Sequence, residues 1–251
     1  MDYKAYLERF HATLPQKHTY DELAKLQRLH MLHVPFENLD VMRREPIYLN
    51  LPRIYHKIVN MRRGGYCYEV NGLFHWLLNE LGFDAQLGAA TVRRPNGVWA
   101  KADTHVVILV RIGNDIFLTD VGFGDSNYEP ISINGTEQTD VSGTYKVIKQ
   151  SDEFYDLTRK VNNEWVPLYR FTLQPKQLVD FHEGCVFNQV SKDSSFTHHD
   201  LATLATEYGR ITISGNTFTK TVHGKVVEKI EITDPEKEKM LRNLFGISIK
   251  P

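Results

Sequence analysis

RRGGYCYEVNGLFHWLLNELGF, residues 62–83, runs from a glycine-marked break through a cysteine into the strongest helical pattern of the chain. Val70, Leu73, Phe74, Leu77, Leu78 and Leu81 recur on one helical face, and Gly82 stands where a C-terminal cap belongs, so a helix is expected over 69–81. Upstream, Tyr3, Tyr6, Leu7, Phe10 and Leu14 keep the same spacing, and Thr19 is placed to cap a run through Leu23, Leu26 and Leu29. The first third therefore reads as helix. Downstream, from about residue 85, the period falls to two. Strands are expected at Thr104–Ile112 and Ile116–Val121 around Gly113-Asn114, then at 144–150, 153–161 and 164–171. These make an antiparallel sheet or barrel. Near the end, Thr197 and Asp200 resemble a capping box for a helix reaching to Gly209, followed by strands at 210–222 and 225–232. Asp234-Pro235 opens a last helix that Gly246 closes. Helices, then strands, then a mixed region give an α+β chain of three parts, divided at 1–84, 85–190 and 191–251.

Composition narrows the function. Hydrophobic residues at 41% and charged ones at 24% exclude disordered and fibrous classes. Thirty basic residues against 31 acidic ones supply no broad field for nucleic acid. Asp2, Lys4, Glu8 and Arg9 interrupt any leader-like apolar core, and no apolar run is long enough to span a bilayer. The two cysteines, Cys67 and Cys185, suit reduced thiols and a cytoplasmic location better than a disulfide framework.

Most lone cysteines are inert, buried thiols. Cys67 differs because it follows Gly64-Gly65 and stands at a helix start, where the positive end of the macrodipole favours thiolate. Thiols activated in this way have pKa values of roughly 3.5–7.5. A thiol nucleophile also needs a base, and the base an orienting group. If Gly113-Asn114 form a two-residue loop, Ile112 faces Asp115, and counting outward puts Val107 opposite Asp120. His105 and Asp120 then become diagonal neighbours on one sheet face, their Cα atoms about 7–8 Å apart. Without Cys67, a core histidine and a turn aspartate would be the simpler account. The order Cys67, His105, Asp120 favours a nucleophile, a base and an orienter.

Arg63-Gly-Gly-Tyr-Cys67-Tyr-Glu resembles the cysteine motif of the arylamine N-acetyltransferases. Asp120-Val-Gly-Phe-Gly124 is similar to that family's aspartate motif, Thr104-His105 falls between the two, and Pro35-Phe-Glu-Asn-Leu39 matches a further signature. Asn71 and Leu81-Gly-Phe83 fit the helix after the cysteine, so the resemblance covers nearly the whole chain; Tyr66 departs from the Phe or Arg common at its position. The resemblance implies a helical bundle, a β-barrel and an α/β lid. It implies a ping-pong reaction in which Cys67 takes acetyl from acetyl-CoA, as substrate rather than bound cofactor, and gives it to an aromatic amine or hydrazine. Phe36, Gly122, Phe123 and Gly124 are then the expected substrate-binding residues. It also implies that Arg63 and Glu37 pair, tying the cysteine turn to the segment after the second helix. A Cys-His-Asp hydrolase or an amide synthase would share the triad.

Other features carry less. His30-x-x-His33 has no third partner for a metal, and His198-His199-Asp200 reads as a helix start, so no metal site is expected. Cys185 shows neither glycine turn nor helix and reads as inert. No phosphate-cradling glycine loop occurs.

Overall fold

The computed structural model describes residues 1–248. Its first part is helical: α1 (Tyr3–Arg9), α2 (Tyr20–His33), the two-residue strand β1 (Phe36–Glu37), then α3 (Leu39–Met42), α4 (Leu51–Tyr55) and α5 (Cys67–Glu80). Asp2 caps α1 by accepting from Lys4 N at 2.8 Å. Thr19 holds the cap position of α2 without a side-chain hydrogen bond, a difference that nothing else in the structure explains. α4 runs on into a π-helical turn, His56–Asn60. α5 begins two residues earlier than its apolar face suggested, because the Glu69 carboxylate accepts from Tyr66 N at 3.2 Å and fixes the first turn.

The second part is one antiparallel sheet of β2 (Asp84–Val92), β3 (His105–Ile112), β4 (Asp115–Thr119), β5 (Ile131–Ser132), β6 (Gln138–Asp140), β7 (Gly143–Lys149), β8 (Phe154–Val161) and β9 (Glu164–Thr172). The spatial order is β5-β4-β3-β2-β9-β8-β7-β6. A hydrogen bond of 2.8 Å from Ser132 N to Gln138 Oε1 joins the two edge strands, so the sheet is a nearly closed barrel. Alternation decides what goes where. Val107, Leu109, Leu118, Leu157 and Tyr169 fill the barrel, while Val106, Ile108 and Val110 pack outward against the helices. The β3–β4 hairpin has the expected register, from Ile112↔Asp115 to Ile108↔Thr119. Asn162 and Asn163 make the β8–β9 turn with φ of 49° and 65°, the left-handed values that a tight hairpin requires.

The third part holds α6 (His182–Val190), β10 (Leu201–Thr206), β11 (Gly209–Ser214), β12 (Thr217–Val222), β13 (Lys225–Glu231) and α7 (Asp234–Phe245). The sheet order is β1-β10-β11-β12-β13, with Phe36↔Thr203 and Glu37↔Ala202 in register. Leu241 and Phe245 of α7 pack with Ala202, Ile213 and Phe218. Glu236 accepts from Thr233 N at 2.8 Å at the start of α7, and Gly246 ends it with φ of 67°.

This is the α+β arrangement expected, with corrections near the end. The helix expected from Thr197 to Gly209 is β10 and the start of β11. The Thr197 hydroxyl donates to Ser191 O and Ser194 O, and Asp200 accepts from Lys237, so neither serves as a cap. The backbone of 201–206 is claimed by β1 and β11 on either side, and tertiary pairing overrides a local signal. The strand expected over 210–222 is two, folded at Gly215-Asn216 with Ser214↔Thr217. Cys185 lies on α6 after all, and a Cβ on Gly184 would stand 2.6 Å from the Tyr68 hydroxyl, so α6 packs directly on α5.

Candidate active site

Cys67 is the first residue of α5 and is 2% exposed. The turn before it is held from three sides. Arg9 donates to the carbonyls of Ile58 (3.0 Å), His33 (2.7 Å), Arg62 (3.2 Å) and Arg63 (3.3 Å). Gly65 N donates to Pro35 O and Glu37 N to Gly65 O, so the turn lies alongside β1 like a short parallel strand. A Cβ on Gly64 would collide with the Pro35 carbonyl, which leaves only glycine there. Beneath the turn lies a buried ion cluster. Arg63 reaches Glu37 Oε1 at 2.7 Å and Asp40 Oδ1 at 2.8 Å; Lys57 reaches Asp40 Oδ2 at 2.7 Å and Glu69 Oε1 at 2.9 Å. The pairing of Arg63 with Glu37 is thus present, as part of a larger set. Burial and the neighbouring carboxylates push the Glu69 carboxyl up despite Lys57.

His105 and Asp120 meet at the end of the barrel. His105 Nε2 and Asp120 Oδ2 are 2.8 Å apart, with both side chains buried. Asp120 spends its oxygens on four donors: His105 Nε2 and the Tyr169 hydroxyl (3.0 Å) on Oδ2, Asn71 Nδ2 (2.8 Å) and Gly122 N (2.8 Å) on Oδ1. Burial alone would raise this carboxyl; His105, Asn71 and Gly122 outweigh it and hold the group below the usual carboxylate range. Burial and the Asp120 charge keep Tyr169 protonated, as a donor. Cys67 joins them through backbone contact, since a Cβ on Gly122 would lie 2.8 Å from the Cys67 Cα.

The helix start alone pointed to a thiolate. In the folded chain, burial pushes the Cys67 thiol up, and the nearby Asp120 charge adds to the rise. The backbone N–H groups of Val106 and Tyr68 pull in the opposite direction. A sulfur in so dry a place ionises favourably only when its proton has a neighbouring base to move to.

The expected substrate-binding residues lie along the His105–Asp120 pair and the cysteine turn. The Phe123 ring lies 5.4 Å from that of His105 and 5.0 Å from that of Tyr169. Phe36 packs against Gly124, where a Cβ would lie 3.4 Å from the Phe36 ring and where the φ of 87° favours glycine. Gly122 faces Cys67 and Asn71, which makes it a close-approach glycine. Phe196 was not anticipated. Its ring lies 6.0 Å from Phe36 and 5.9 Å from Tyr66, and Asn38 Nδ2 fixes its carbonyl at 2.9 Å. No local pattern marks Phe196, whereas Asn71 had a signal in being four residues after Cys67 on the same helical face.

The remaining candidates stay structural. Burial pushes the His30 imidazole down to about 3, and it pairs with the Tyr6 hydroxyl at 2.7 Å. Burial pushes the Cys185 thiol up to about 11, and the Tyr66 hydroxyl lies 2.9 Å from its sulfur. Among the described residues no group of acidic, histidine or cysteine side chains fits a metal ion, and no helix is long and apolar enough to cross a membrane.

Comparison with known proteins gives the chain a family. A sequence model of the N-acetyltransferase family matches residues 19–251. The arylamine N-acetyltransferase pineal gland isozyme NAT-10 of Gallus gallus is 31% identical, over 92% of this chain and 88% of that protein. The crystallised arylamine N-acetyltransferase of Salmonella typhimurium superposes with a TM-score of 0.93 at 28% identity, covering 99% of this chain and 92% of that one. A Bacillus cereus arylamine N-acetyltransferase described as having a Cys-His-Glu triad superposes at 0.92 with 25% identity, covering 99% and 100%. The present chain has Asp120 as the acidic partner of its histidine. On the match to the family model and the chicken relative, this chain belongs to the arylamine N-acetyltransferase family.

Proposed function

We propose that the chain transfers an acetyl group from acetyl-CoA to an aromatic amine or hydrazine by way of an acetyl-cysteine at Cys67. The observation that carries this reading is the buried His105–Asp120 pair at 2.8 Å, beside the turn that presents the Cys67 backbone. As the Cys67 sulfur attacks the thioester carbonyl, its proton passes to His105, whose Nδ1 is free because Nε2 faces Asp120. The Asp120 carboxylate offsets the positive charge on the imidazole. The tetrahedral adduct expels the CoA thiolate, which takes that proton. An amine then enters, attacks the acetyl-cysteine and loses its own proton to His105, and the sulfur leaves. Thioester exchange suits a thiol because attacking and leaving groups match. A weakly basic aromatic amine suits the second step because it remains unprotonated near pH 7.

The aromatic walls favour such an acceptor. Phe123 lies on His105, and Phe36 and Phe196 pack together beside Tyr66, the residue before Cys67, so apolar rings flank the site on two sides. Reaction through a free thiol suits the reducing cytoplasm. The test is incubation with acetyl-CoA alone, followed by mass mapping. One acetyl group is expected on Cys67 and none on Cys185, discharged by added aromatic amine or hydrazine. Acetate release that is independent of any amine would point to a hydrolase. A Cys67→Ser variant with appreciable turnover would refute the reading.

A further inference from the structure

Two strands of the barrel are kept apart where they would naturally close. The β3–β4 ladder ends at Ile108↔Thr119, and two residues further in the same register Val106 would face Val121. Bonded pairs alternate along an antiparallel ladder, and a two-residue hairpin makes Ile112↔Asp115 a bonded pair. Val110, Ile108 and Val106 therefore direct their N–H and C=O groups toward β4. Val106 and Val121 should exchange two hydrogen bonds, but the Asn71 side chain stands between them. Its Nδ2 donates to Val106 O at 2.8 Å, and its Oδ1 accepts from Val121 N at 2.9 Å. One amide thus replaces one of the two missing bonds. The second Nδ2 proton goes to Asp120 Oδ1 at 2.8 Å, so Asn71 is saturated and buried.

The other missing bond would have run from Val106 N to Val121 O. With the strands wedged open, the Val106 N–H has no partner on β4 and is left on the Cys67 side, where it and the N–H of Tyr68 lower the thiol against the effect of burial. We propose that Asn71 is a positioning residue that holds the barrel ladder open, so that the Val106 N–H serves as a backbone donor to the negative charge of the reacting centre. It meets the thiolate first and then the oxyanion of the acyl adduct. Asn71 bridges β3, which carries His105, to the residue after Asp120 and sits one turn after Cys67, so it sets all three groups in one frame. This assignment rests on the acetyl-transfer reading for the second charge only; the thiolate needs no acyl donor.

The experiment uses the intact chain and Asn71→Ala. Without the amide, Val106 and Val121 are expected to close into an ordinary bonded pair. The pH profile of Cys67 alkylation by iodoacetamide should move upward, and the rate at pH 7 should fall by about tenfold for each unit of that movement, since the thiolate is the nucleophile. In the intact chain, the Val106 amide resonance should shift when Cys67 is alkylated; in Asn71→Ala it should stay in place and exchange slowly with deuterium. A folded Asn71→Ala with an unchanged pH profile would overturn the proposal, as would a Val106 resonance indifferent to Cys67 in the intact chain. The latter needs no variant and decides the matter if Asn71→Ala does not fold. Iodoacetamide involves no acetyl donor, so failure here is separate from failure of acetyl-CoA to label Cys67.

Discussion

Asp120 shows how much work one buried carboxylate does. Its four donors come from β3, β9, α5 and its own loop, and all four need acceptors. In Asp120→Asn the new amide turns a donor toward other donors and removes the charge that offsets a protonated His105. Alkylation of Cys67 by iodoacetamide, followed against pH, should therefore rise at higher pH than in the intact chain. Coincident profiles would remove Asp120 from the site. The same substitution has a stability signature. The Asp120 carboxyl is held low in the folded chain, so its contribution is present above the unfolded carboxylate value, about pH 4. It is lost as the pH falls through the depressed folded value. The gap in melting temperature between intact chain and Asp120→Asn should be full at pH 7 and should narrow on acidification below about pH 4. At this scale the sequence was informative where geometry is local. His105 and Asp120 follow from counting outward along one hairpin. Tyr169 does not, because it reaches Asp120 only once β9 has taken its place across the barrel.

The cysteine turn and the first turn of α5 work as an element set on charges. Arg63 contacts Glu37 and Asp40 together, and Lys57 links Asp40 to Glu69, which in turn holds Tyr66 N. Removing one partner from such a buried set leaves uncompensated charge at a cost of about 3–5 kcal/mol. Arg63→Ala should lower the melting temperature by about ten degrees, given roughly 2–4 °C per kcal/mol in a chain of this size. The alkylation rate per folded molecule should change much less. Arg63→Lys should recover only part of the loss, since an ammonium lacks the planar fork that meets two carboxylates. An unchanged melting point in Arg63→Ala would assign the cluster another role. Elements with a clean period, such as α5 and the central hairpins, were legible. The segment after residue 197 was not, because Leu-Ala-Thr-Leu-Ala-Thr suits helix and strand alike and only β1 and β11 choose between them. α6 was missed for a similar reason: its nine residues are too few to establish a period, and its place depends on close packing at Gly184.

Across the whole molecule, the reacting turn and the last third of the chain share a backbone. Gly65 lies along β1, β1 pairs with β10, and the sheet continues to β13. A chain ending after residue 190 would leave the β10 edge of β1 without a partner and uncover Phe36, which packs on Phe196. Such a fragment is expected to aggregate, or to lose the pH dependence of Cys67 alkylation; a soluble, monomeric fragment with the intact profile would contradict the coupling. The link also orders events in time. Asn38, at the end of β1, accepts Leu201 N from 163 residues further on. At roughly 5–20 residues per second, the ribosome needs about ten to thirty seconds between making one and making the other. For most of that interval the nascent chain already has its cysteine but lacks the strand that fixes the turn behind it. An unfinished polypeptide would then carry an unassembled thiol, and competence for chemistry would arrive only after β10 has been made.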